Sequence, residues 1–186
     1  MPRDLALLGM MGVGKSTVAR HLAGLMRREV VATDALVEQR AGRTIPQVFA
    51  DDGEDRFREL EREVIAELAD APPPHRRIID LGGGAVLDHR NVDSLRRHAE
   101  LVLLTAPLPV LVARLAEEAT GRPLLFGTDL SEALRVLVDE RGGVYAAVAD
   151  HVEQADRPVP AVALEILRWA VHRDGVLSIG ERERSP

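Results

Sequence analysis

One lysine stands among the 24 basic residues of this chain, and it lies in a glycine-rich segment near the N-terminus. Residues 9–17 read GMMGVGKST, which fits the phosphate-binding pattern G-x-x-x-x-G-K-[ST]. In that pattern backbone amides surround a phosphate, Lys15 spans the β- and γ-phosphates, and the Ser16 hydroxyl binds Mg²⁺. The sequence therefore predicts nucleotide-dependent phosphoryl transfer. The predicted nucleotide-binding residues of the loop are Gly12, Val13, Gly14, Lys15, Ser16 and Thr17.

The segments on either side of this loop have the pattern that the motif requires. Residues 4–8 form a short apolar run that is typical of a buried strand, and residues 17–26 carry apolar side chains at helical spacing. A strand, the glycine-rich loop and a helix in this order favour a phosphate-binding loop over an ordinary turn.

Composition limits the classes of protein and partner. With 186 residues, of which 46% are hydrophobic, the chain is long enough for one substantial domain. It has no cysteine, so a metal would have to bind oxygen ligands. We expect a soluble, cytoplasmic protein, because no leader pattern and no apolar stretch of membrane-spanning length is present. A net charge of −6 and only five Phe, Tyr and Trp side chains argue against nucleic-acid binding, so a small substrate is expected. We also expect a monomer.

Strands and helices alternate along the chain. Further strands are predicted at residues 29–32, 77–81, 101–104 and, at a sheet edge, 151–153. Further helices are predicted at residues 34–40 with Thr33 as N-cap, 53–71, 108–118, 131–141 and 160–172. This order predicts an α/β fold in three layers, with helices on both faces of a parallel sheet.

Two segments stand apart from the regular elements. Residues 119–130 are rich in loop-forming types and are the candidate lid, whereas residues 174–186 are predicted to be a polar, poorly ordered tail. A single domain is therefore expected over residues 1–173. Because ligands bind beyond the carboxyl ends of parallel strands, residues 9–16, Asp34, Asp80 and the glycines at 82–84 should converge on one crevice.

The motifs, taken in order, are similar to those of shikimate kinase over residues 4 to about 172. They are residues 9–17, Thr33-Asp34, Phe57-Arg58-x-x-Glu61, Gly82-Gly83-Gly84, Arg122-Pro123-Leu124-Leu125, and Arg141 followed by Tyr145. The resemblance implies a P-loop kinase fold like that of the nucleoside monophosphate kinases, with a five-stranded parallel sheet, a lid and substrate-binding helices. It also implies transfer of the γ-phosphate of ATP to the 3-hydroxyl of shikimate, with Mg²⁺, in the shikimate pathway to aromatic amino acids.

The resemblance implies a role for individual residues on the acceptor side. Asp34 would hold and deprotonate the hydroxyl, while Arg58 and Arg141 would pair with the substrate carboxylate, for which guanidinium forks are well suited. The three glycines, Gly82, Gly83 and Gly84, would allow close approach of the backbone to the ring.

On the nucleotide side, the resemblance implies that Arg122 in the lid closes on the phosphates and offsets the charge that develops during transfer. Arg114 and Pro160 would enclose the adenine.

Simpler interpretations of the same residues stay open at this point. Arg58 and Glu61 are three residues apart and could form an ordinary exposed ion pair, in which Glu61 orients Arg58. Asp34 could only stabilise a helix N-terminus, and Arg141 could only decorate a helix C-terminus before Gly142. The six histidines show no metal-ligand spacing and are assigned to the surface or the core.

The chain departs from the family pattern at two positions of the predicted site and at one nearby. Ala32 stands where family members usually have the first aspartate of an Asp-x-Asp pair, which helps to organise Mg²⁺ through water. Asp80 stands where a small hydroxyl residue is common. We hypothesise that the carboxylate has moved to Asp80, with capping of the glycine loop as the alternative role. Gly143 replaces a usual proline, which predicts a more mobile loop toward Tyr145.

Two other functions stay compatible with these motifs. One is a paralogous kinase for a related polyol acid or cyclitol, such as a gluconate kinase. The other is a nucleotide-binding regulatory module that has lost catalysis through Ala32. A regulatory GTPase is disfavoured, because the sequence has no Asn-Lys-x-Asp motif and no second lysine to form one.

Overall fold

The structure is a computed structural model that describes residues 2–72, 76–119, 130–173, 175–178 and 181. Within these residues five strands form one parallel sheet in the order β2-β3-β1-β4-β5. The strands are β1 (Asp4–Leu8), β2 (Glu29–Ala32), β3 (Arg77–Asp80), β4 (Ala99–Thr105) and β5 (His151–Gln154). The predicted parallel sheet and the edge position of β5 are confirmed.

Seven helices connect and cover these strands in the described residues. They are α1 (Lys15–Met26), α2 (Thr33–Ala41), α3 (Ile45–Asp70), α4 (His89–Arg96), α5 (Leu108–Ala119), α6 (Leu130–Val148) and α7 (Val159–His172). The sequence prediction lacks α4, because this eight-residue helix is mostly polar and buries only one narrow side through Val92 and Leu95. Asp88 caps it by accepting a hydrogen bond of 2.9 Å from the backbone N–H of Arg90.

Within the described residues, the core is divided into two parts. The larger part surrounds the sheet, whose central strand β1 is buried along its whole length. A small separate cluster joins α2 to α3 through Val37, Val48, Phe57, Leu60 and Val64. The helices that carry Asp34 and Arg58 are therefore packed on each other, while α3 also contacts the main core through Ile65. This arrangement places both side chains beside the carboxyl ends of the strands.

Two predicted helix starts differ from the structure. α3 begins at Ile45, where Thr44 and Gln47 form a capping box, and Gly53 is a kink within it with φ 81° and ψ 177°. α2 begins at Thr33 itself, and no side chain caps it. The prediction of Thr33 as the N-cap is wrong, because its hydroxyl is used between β2 and β3 instead.

The predicted end of α6 near residue 141 is wrong. The helix continues through Gly142 and Gly143 to Val148, so the mobile loop that was expected before Tyr145 is helical. Glycine in a helix costs about 1 kcal/mol relative to alanine, so the two glycines together cost about 2 kcal/mol. Tyr145 is 2% exposed and packs in the main core beyond the glycines, and burial of an aromatic side chain outweighs that cost.

The C-terminal segment contributes to the core where the structure describes it. Val176 and Leu177 are buried, and the carboxylate of Glu181 lies 2.9 Å from Nε of Arg28, whose side chain is fully buried. These described residues pack on the fold, which differs from the poorly ordered tail that was expected. The division into a domain of residues 1–173 and a tail stays a prediction.

Part of the expected lid falls where the structure gives no description. Residues 120–129, including Arg122, lie outside the described residues. None of the helices that the structure does describe has the length and apolar character needed to cross a membrane.

Candidate active site

The loop between β1 and α1 has the backbone conformation that its glycines predict. Gly9, Gly12 and Gly14 have φ values of 143°, 74° and 98°, which residues with a side chain rarely adopt. A Cβ at Gly9 would also lie 2.5 Å from the carbonyl oxygen of Leu104. The loop leads directly into the N-terminus of α1, where the first backbone amides have no acceptor within the helix. This arrangement suits the binding of an anion.

Lys15 begins α1 and points back across this loop. Its ammonium donates hydrogen bonds to the carbonyl oxygens of Gly9 at 3.0 Å and Met10 at 3.4 Å. Burial lowers the pKa of Lys15, while the nearby carboxylates of Asp80 and Asp34 oppose this effect. A single ammonium thus faces two carboxylates that come from two other strand ends.

These side chains line one cleft of about 260 Å³. The structure brings together the residues that the strand-end argument predicted from the β1–α1 loop, β2 and β3. The lining residues are Met11, Lys15, Ser16, Ala32, Asp34, Asp80, Leu81 and Gly83.

Asp34 lies in the first turn of α2 on the wall of this cleft. The cleft removes part of the hydration of its carboxylate, and this raises the pKa of Asp34. The ammonium of Lys15 lowers the pKa, and the carboxylate of Asp80 raises it further. A carboxylate with a raised pKa beside a phosphate-binding loop is suited to accept a proton from a hydroxyl group.

The triple glycine follows β3 and packs against two charged side chains. A Cβ at Gly82 would lie under 3.0 Å from Oδ1 of Asp34, and a Cβ at Gly84 would lie 2.8 Å from Nη2 of Arg58. A Cβ at Gly83 would meet nothing within 4 Å. The absence of side chains therefore has a different consequence at each of the three positions.

Thr33 joins the ends of β2 and β3. Its hydroxyl accepts a hydrogen bond of 2.8 Å from the amide of Gly82 and donates one of 3.4 Å to the carbonyl oxygen of Asp80. The bond to the glycine loop thus comes from Thr33, which was predicted as a helix cap and as part of the Thr33-Asp34 motif but not for this contact. Its position next to Asp34 in a β–α junction is the signal that could have identified it.

Arg58 is oriented by two carboxylates and one ring. Its Nη1 lies 3.0 Å from Oε2 of Glu61, its Nη2 lies 3.0 Å from Oε1 of Glu54, and its Cζ lies 5.1 Å from the centre of the Phe57 ring. Glu61 is 1% exposed, and burial raises the pKa of its carboxyl. The ion pair that the spacing predicted is therefore present, but it is partly buried and directs Arg58 toward Gly84.

Tyr145 connects α6 to the triple glycine. Its hydroxyl donates a hydrogen bond to the carbonyl oxygen of Gly83. Burial raises the pKa of this phenol, and a hydrogen bond from Arg141, together with the charges of Arg141 and Arg58, lowers it. Both arginines that were predicted to bind a carboxylate are thus close to the same hydroxyl group. Arg141 lies inside α6, so its interpretation as decoration of a helix C-terminus is wrong.

A second cavity of about 410 Å³ lies on the other side of the phosphate-binding loop. Arg114 of α5 lines it, and the guanidinium is held by hydrogen bonds to the carbonyl oxygens of Val13 at 2.9 Å and Ala155 at 2.7 Å. Val159 lines this cavity, whereas the next residue, Pro160, which was predicted to contact the adenine, does not line it. A planar cation held in this way presents a flat surface, as the predicted contact with a base requires.

Comparison with known proteins agrees with this geometry. A family model described as shikimate kinase matches residues 11–171. The chain belongs to the shikimate kinase family. A shikimate kinase of Pelotomaculum thermopropionicum is 41% identical over 149 residues, which are 80% of this chain and 84% of that protein. A shikimate kinase of Gloeobacter violaceus is 42% identical over 170 residues, which are 91% and 93% of the two chains.

Solved structures support the same assignment. The shikimate kinase from Acinetobacter baumannii in complex with shikimate is 31% identical, with a TM-score of 0.83 over 94% of this chain and 96% of that one. A gluconokinase from Sinorhizobium meliloti is 16% identical with a TM-score of 0.55 over 88% and 89% of the chains, which shows the fold alone. The predicted family and P-loop kinase fold are confirmed, and shikimate kinase activity is favoured over the gluconate-type and regulatory alternatives.

In this cleft, the side chains that could hold a metal ion supply oxygen atoms only. The described residues contain no group of three or more acidic or histidine side chains that could hold a metal by themselves. Ser16 and Asp80 nevertheless line the same cleft, and Asp80 of β3 is the register partner of Ala32 of β2. Mg²⁺ usually keeps several waters and binds substrate phosphates with one or two protein ligands. A hydroxyl and a carboxylate in this cleft fit that requirement.

Proposed function

We propose that this chain transfers the γ-phosphate of ATP to the 3-hydroxyl of shikimate, with Asp34 as the residue that accepts the hydroxyl proton. The observation that carries this proposal is the cleft in which the phosphate-loop ammonium of Lys15 and the carboxylate of Asp34 face each other. The complex of the Acinetobacter baumannii relative with shikimate supports the choice of acceptor.

On the nucleotide side, the chain supplies amides, one ammonium and one planar cation. Lys15 leaves the carbonyl oxygens of Gly9 and Met10 and binds the β- and γ-phosphates, which its flexible stem allows. Arg114 stacks on the adenine in the second cavity. The role of Arg122 in covering the phosphates stays a prediction.

On the acceptor side, Asp34 and the arginines have separate tasks. The shikimate hydroxyl oxygen forms a bond to the γ-phosphorus, its proton passes to the Asp34 carboxylate, and the bond from phosphorus to the ADP oxygen breaks with its electron pair on ADP. Arg58 and Arg141 bind the shikimate carboxylate and so place the hydroxyl beside Asp34. The backbone at 82–84 borders the ring.

The same cleft holds the proposed magnesium ligands. Bound Mg²⁺ would neutralise charge on the nucleotide phosphates. The Ser16 hydroxyl would bind it directly, and Asp80 would bind one of its waters in place of the carboxylate that Ala32 lacks. The register pairing of Ala32 with Asp80 supports this exchange, because it places the two side chains side by side on neighbouring strands. A cytoplasmic location and a monomeric state stay predictions.

The experiment that tests the reaction is a ³¹P NMR time course with the purified chain, ATP, Mg²⁺ and shikimate. We expect a new phosphate monoester signal that grows as ADP forms, and no such signal with gluconate or a cyclitol. Asp34→Asn is expected to lower kcat by about 10² to 10⁴-fold. Asp139→Asn removes a carboxylate of an exposed ion pair on α6 and serves as the matched control.

Two outcomes would overturn this assignment. Phosphorylation of gluconate or a cyclitol, but not of shikimate, would establish the paralogous kinase. Tight binding of ATP without any phosphorylated product from the panel would instead establish a regulatory module. Full activity of Asp34→Asn would leave the reaction standing but remove Asp34 from its role.

A further inference from the structure

The only tyrosine of the chain, Tyr145, is buried at the site without a role in the proposed reaction. Its side chain is apolar enough to fill the core between α6 and the turn after β3, which a phenylalanine could do equally well. The hydroxyl group, however, is placed at the carbonyl oxygen of Gly83, a residue that lines the cleft. Packing alone does not explain why this position has a tyrosine hydroxyl rather than a phenylalanine ring.

The hydrogen bonds of the phenol have a fixed direction. A phenol has one O–H donor, and this donor is used by the Gly83 carbonyl oxygen. A guanidinium has donors only, so the interaction by which Arg141 lowers the pKa of the phenol is one in which Arg141 faces the phenol oxygen as the donor. Arg141 and Tyr145 are four residues apart on α6 and therefore lie on the same face of the helix. Tyr145 thus connects the guanidinium of Arg141 to the glycine loop.

The two arginines of the site are held in chemically different ways. Arg58 is oriented by the carboxylates of Glu54 and Glu61, which also neutralise much of its charge. Arg141 forms no ion pair within the part of the chain that the structure describes, and the side chain one turn along the same face of α6, which it influences, is a neutral phenol. A neutral partner orients a guanidinium without competing with a carboxylate ligand for its charge.

We propose that Tyr145 is a positioning residue for recognition of the acceptor's carboxylate: it holds Arg141 beside Gly83 while leaving the charge of Arg141 available. This inference rests on the proposed function, because it assigns the carboxylate of the acceptor to Arg141. It acts on binding of the acceptor and leaves phosphoryl transfer itself and nucleotide binding unchanged.

The first test is Tyr145→Phe, which removes only the hydroxyl. A hydrogen bond to a charged group contributes about 1.5 to 3 kcal/mol, so KM for shikimate is expected to rise about 10- to 150-fold. We expect kcat and KM for ATP to stay within about twofold. For an analogue in which a hydroxymethyl group replaces the carboxylate, the variant and the wild type are expected to have the same KM.

An equal rise in KM for shikimate and for the hydroxymethyl analogue would show a merely structural role and overturn the inference. An unchanged KM for shikimate would overturn it as well. The double variant Tyr145→Phe with Arg141→Gln gives a further check. If Tyr145 acts through Arg141, the double variant binds shikimate no more weakly than the single variant Arg141→Gln does. If the wild type fails to phosphorylate shikimate, the proposed function fails, and this outcome is distinct from a wild type that is active but insensitive to the substitution.

A spectroscopic test keeps the native fold even if Tyr145→Phe is unstable. Because the chain has one tyrosine, growth on 3-fluorotyrosine labels position 145 alone and gives a single ¹⁹F signal. We expect shikimate to shift this signal and the hydroxymethyl analogue to leave it unchanged, in the absence of nucleotide. A signal that responds equally to both ligands, or to neither, would contradict the proposal.

Discussion

Substitution of the three consecutive glycines after β3 by alanine, one at a time, tests the geometry of the site most directly. All three lie on the same turn, and none has a positive φ that would strain an alanine backbone. A Cβ at Gly82 would lie 3.4 Å from Cγ of Asp34, under 3.0 Å from its Oδ1 and 3.2 Å from Oε1 of Glu61. Gly82→Ala therefore forces the Asp34 carboxylate away from its place.

The size of the effect follows from the displacement. To restore ordinary contact distances, the oxygen of Asp34 must move by roughly 1 Å, and a misplacement of this size costs about 100-fold in rate. This corresponds to about 2.7 kcal/mol of activation free energy. We expect Gly82→Ala to lower kcat by about this factor, with KM for ATP unchanged, in a coupled assay of ADP release with shikimate as acceptor.

The two neighbouring glycines provide matched comparisons. Gly84→Ala places a Cβ 2.9 Å from Cζ of Arg58, so the loss is expected in KM for shikimate rather than in kcat. Gly83→Ala meets no protein atom within 4 Å, so thermal stability and ATP binding are expected to be unchanged. Any effect of this third variant reports on how closely shikimate approaches the backbone. Equal losses of kcat in all three variants, or full kcat in Gly82→Ala, would refute the reasoning.

Three further predictions follow from the charges of the structure. Partial desolvation raises the pKa of Asp34, and the base must be ionised to accept a proton. The value of kcat/KM is therefore expected to fall with decreasing pH, with an apparent pKa above the usual 3.8. An apparent pKa at or below 3.8 in the acid part of the pH profile would contradict this prediction. Asp80→Ser is expected to raise the Mg²⁺ concentration for half-maximal activity about 10-fold or more, and Ala32→Asp in the same chain to reverse this; an unchanged Mg²⁺ titration refutes the exchange. Burial would raise the pKa of Glu181, but the ion pair with Arg28 and the hydrogen bonds from Ser178 hold this pKa at about 2. The Glu181 carboxylate therefore stabilises the fold above pH 4.5, and this stabilisation is lost as the pH falls toward 2. Glu181→Gln is therefore expected to lower the free energy of unfolding in urea by about 3 kcal/mol at pH 7, with the difference vanishing in acid. Glu165→Gln, from an exposed pair, is the control and is expected to cost under about 1 kcal/mol; an equal cost of the two variants contradicts the prediction.

The phosphate-binding loop and the order of the elements could be predicted from the sequence because their causes are local. Glycines at 9, 12 and 14 are the residues that adopt positive φ without strain, and the apolar runs before and after them have the periodicity of a strand and a helix. The motifs taken together and in order, from the phosphate-binding loop to Arg141 and Tyr145, identified the family. Neither inference needed to know which distant residues would meet.

Local rules failed where distant packing opposed them. Gly142 and Gly143 indicated the end of a helix, but the burial of Tyr145 continues α6 through both. The polar composition of residues 174–186 indicated a tail, although Val176 and Leu177 complete the core in the part described. In each case the free energy of burying apolar surface outweighed the local preference, which for the two helical glycines amounts to about 2 kcal/mol.

The sequence by itself determined the phosphate loop, the alternating fold class and the family. Only the tertiary structure decided that Asp80 lies in register with Ala32 and that Gly82 and Gly84 each lie close against a different charged side chain. It also decided that the Tyr145 hydroxyl donates a hydrogen bond to Gly83. These contacts join residues that are dozens of positions apart in the chain, so no local pattern encodes them. Sheet register and helix packing set their distances, and both depend on how the whole core fills its volume.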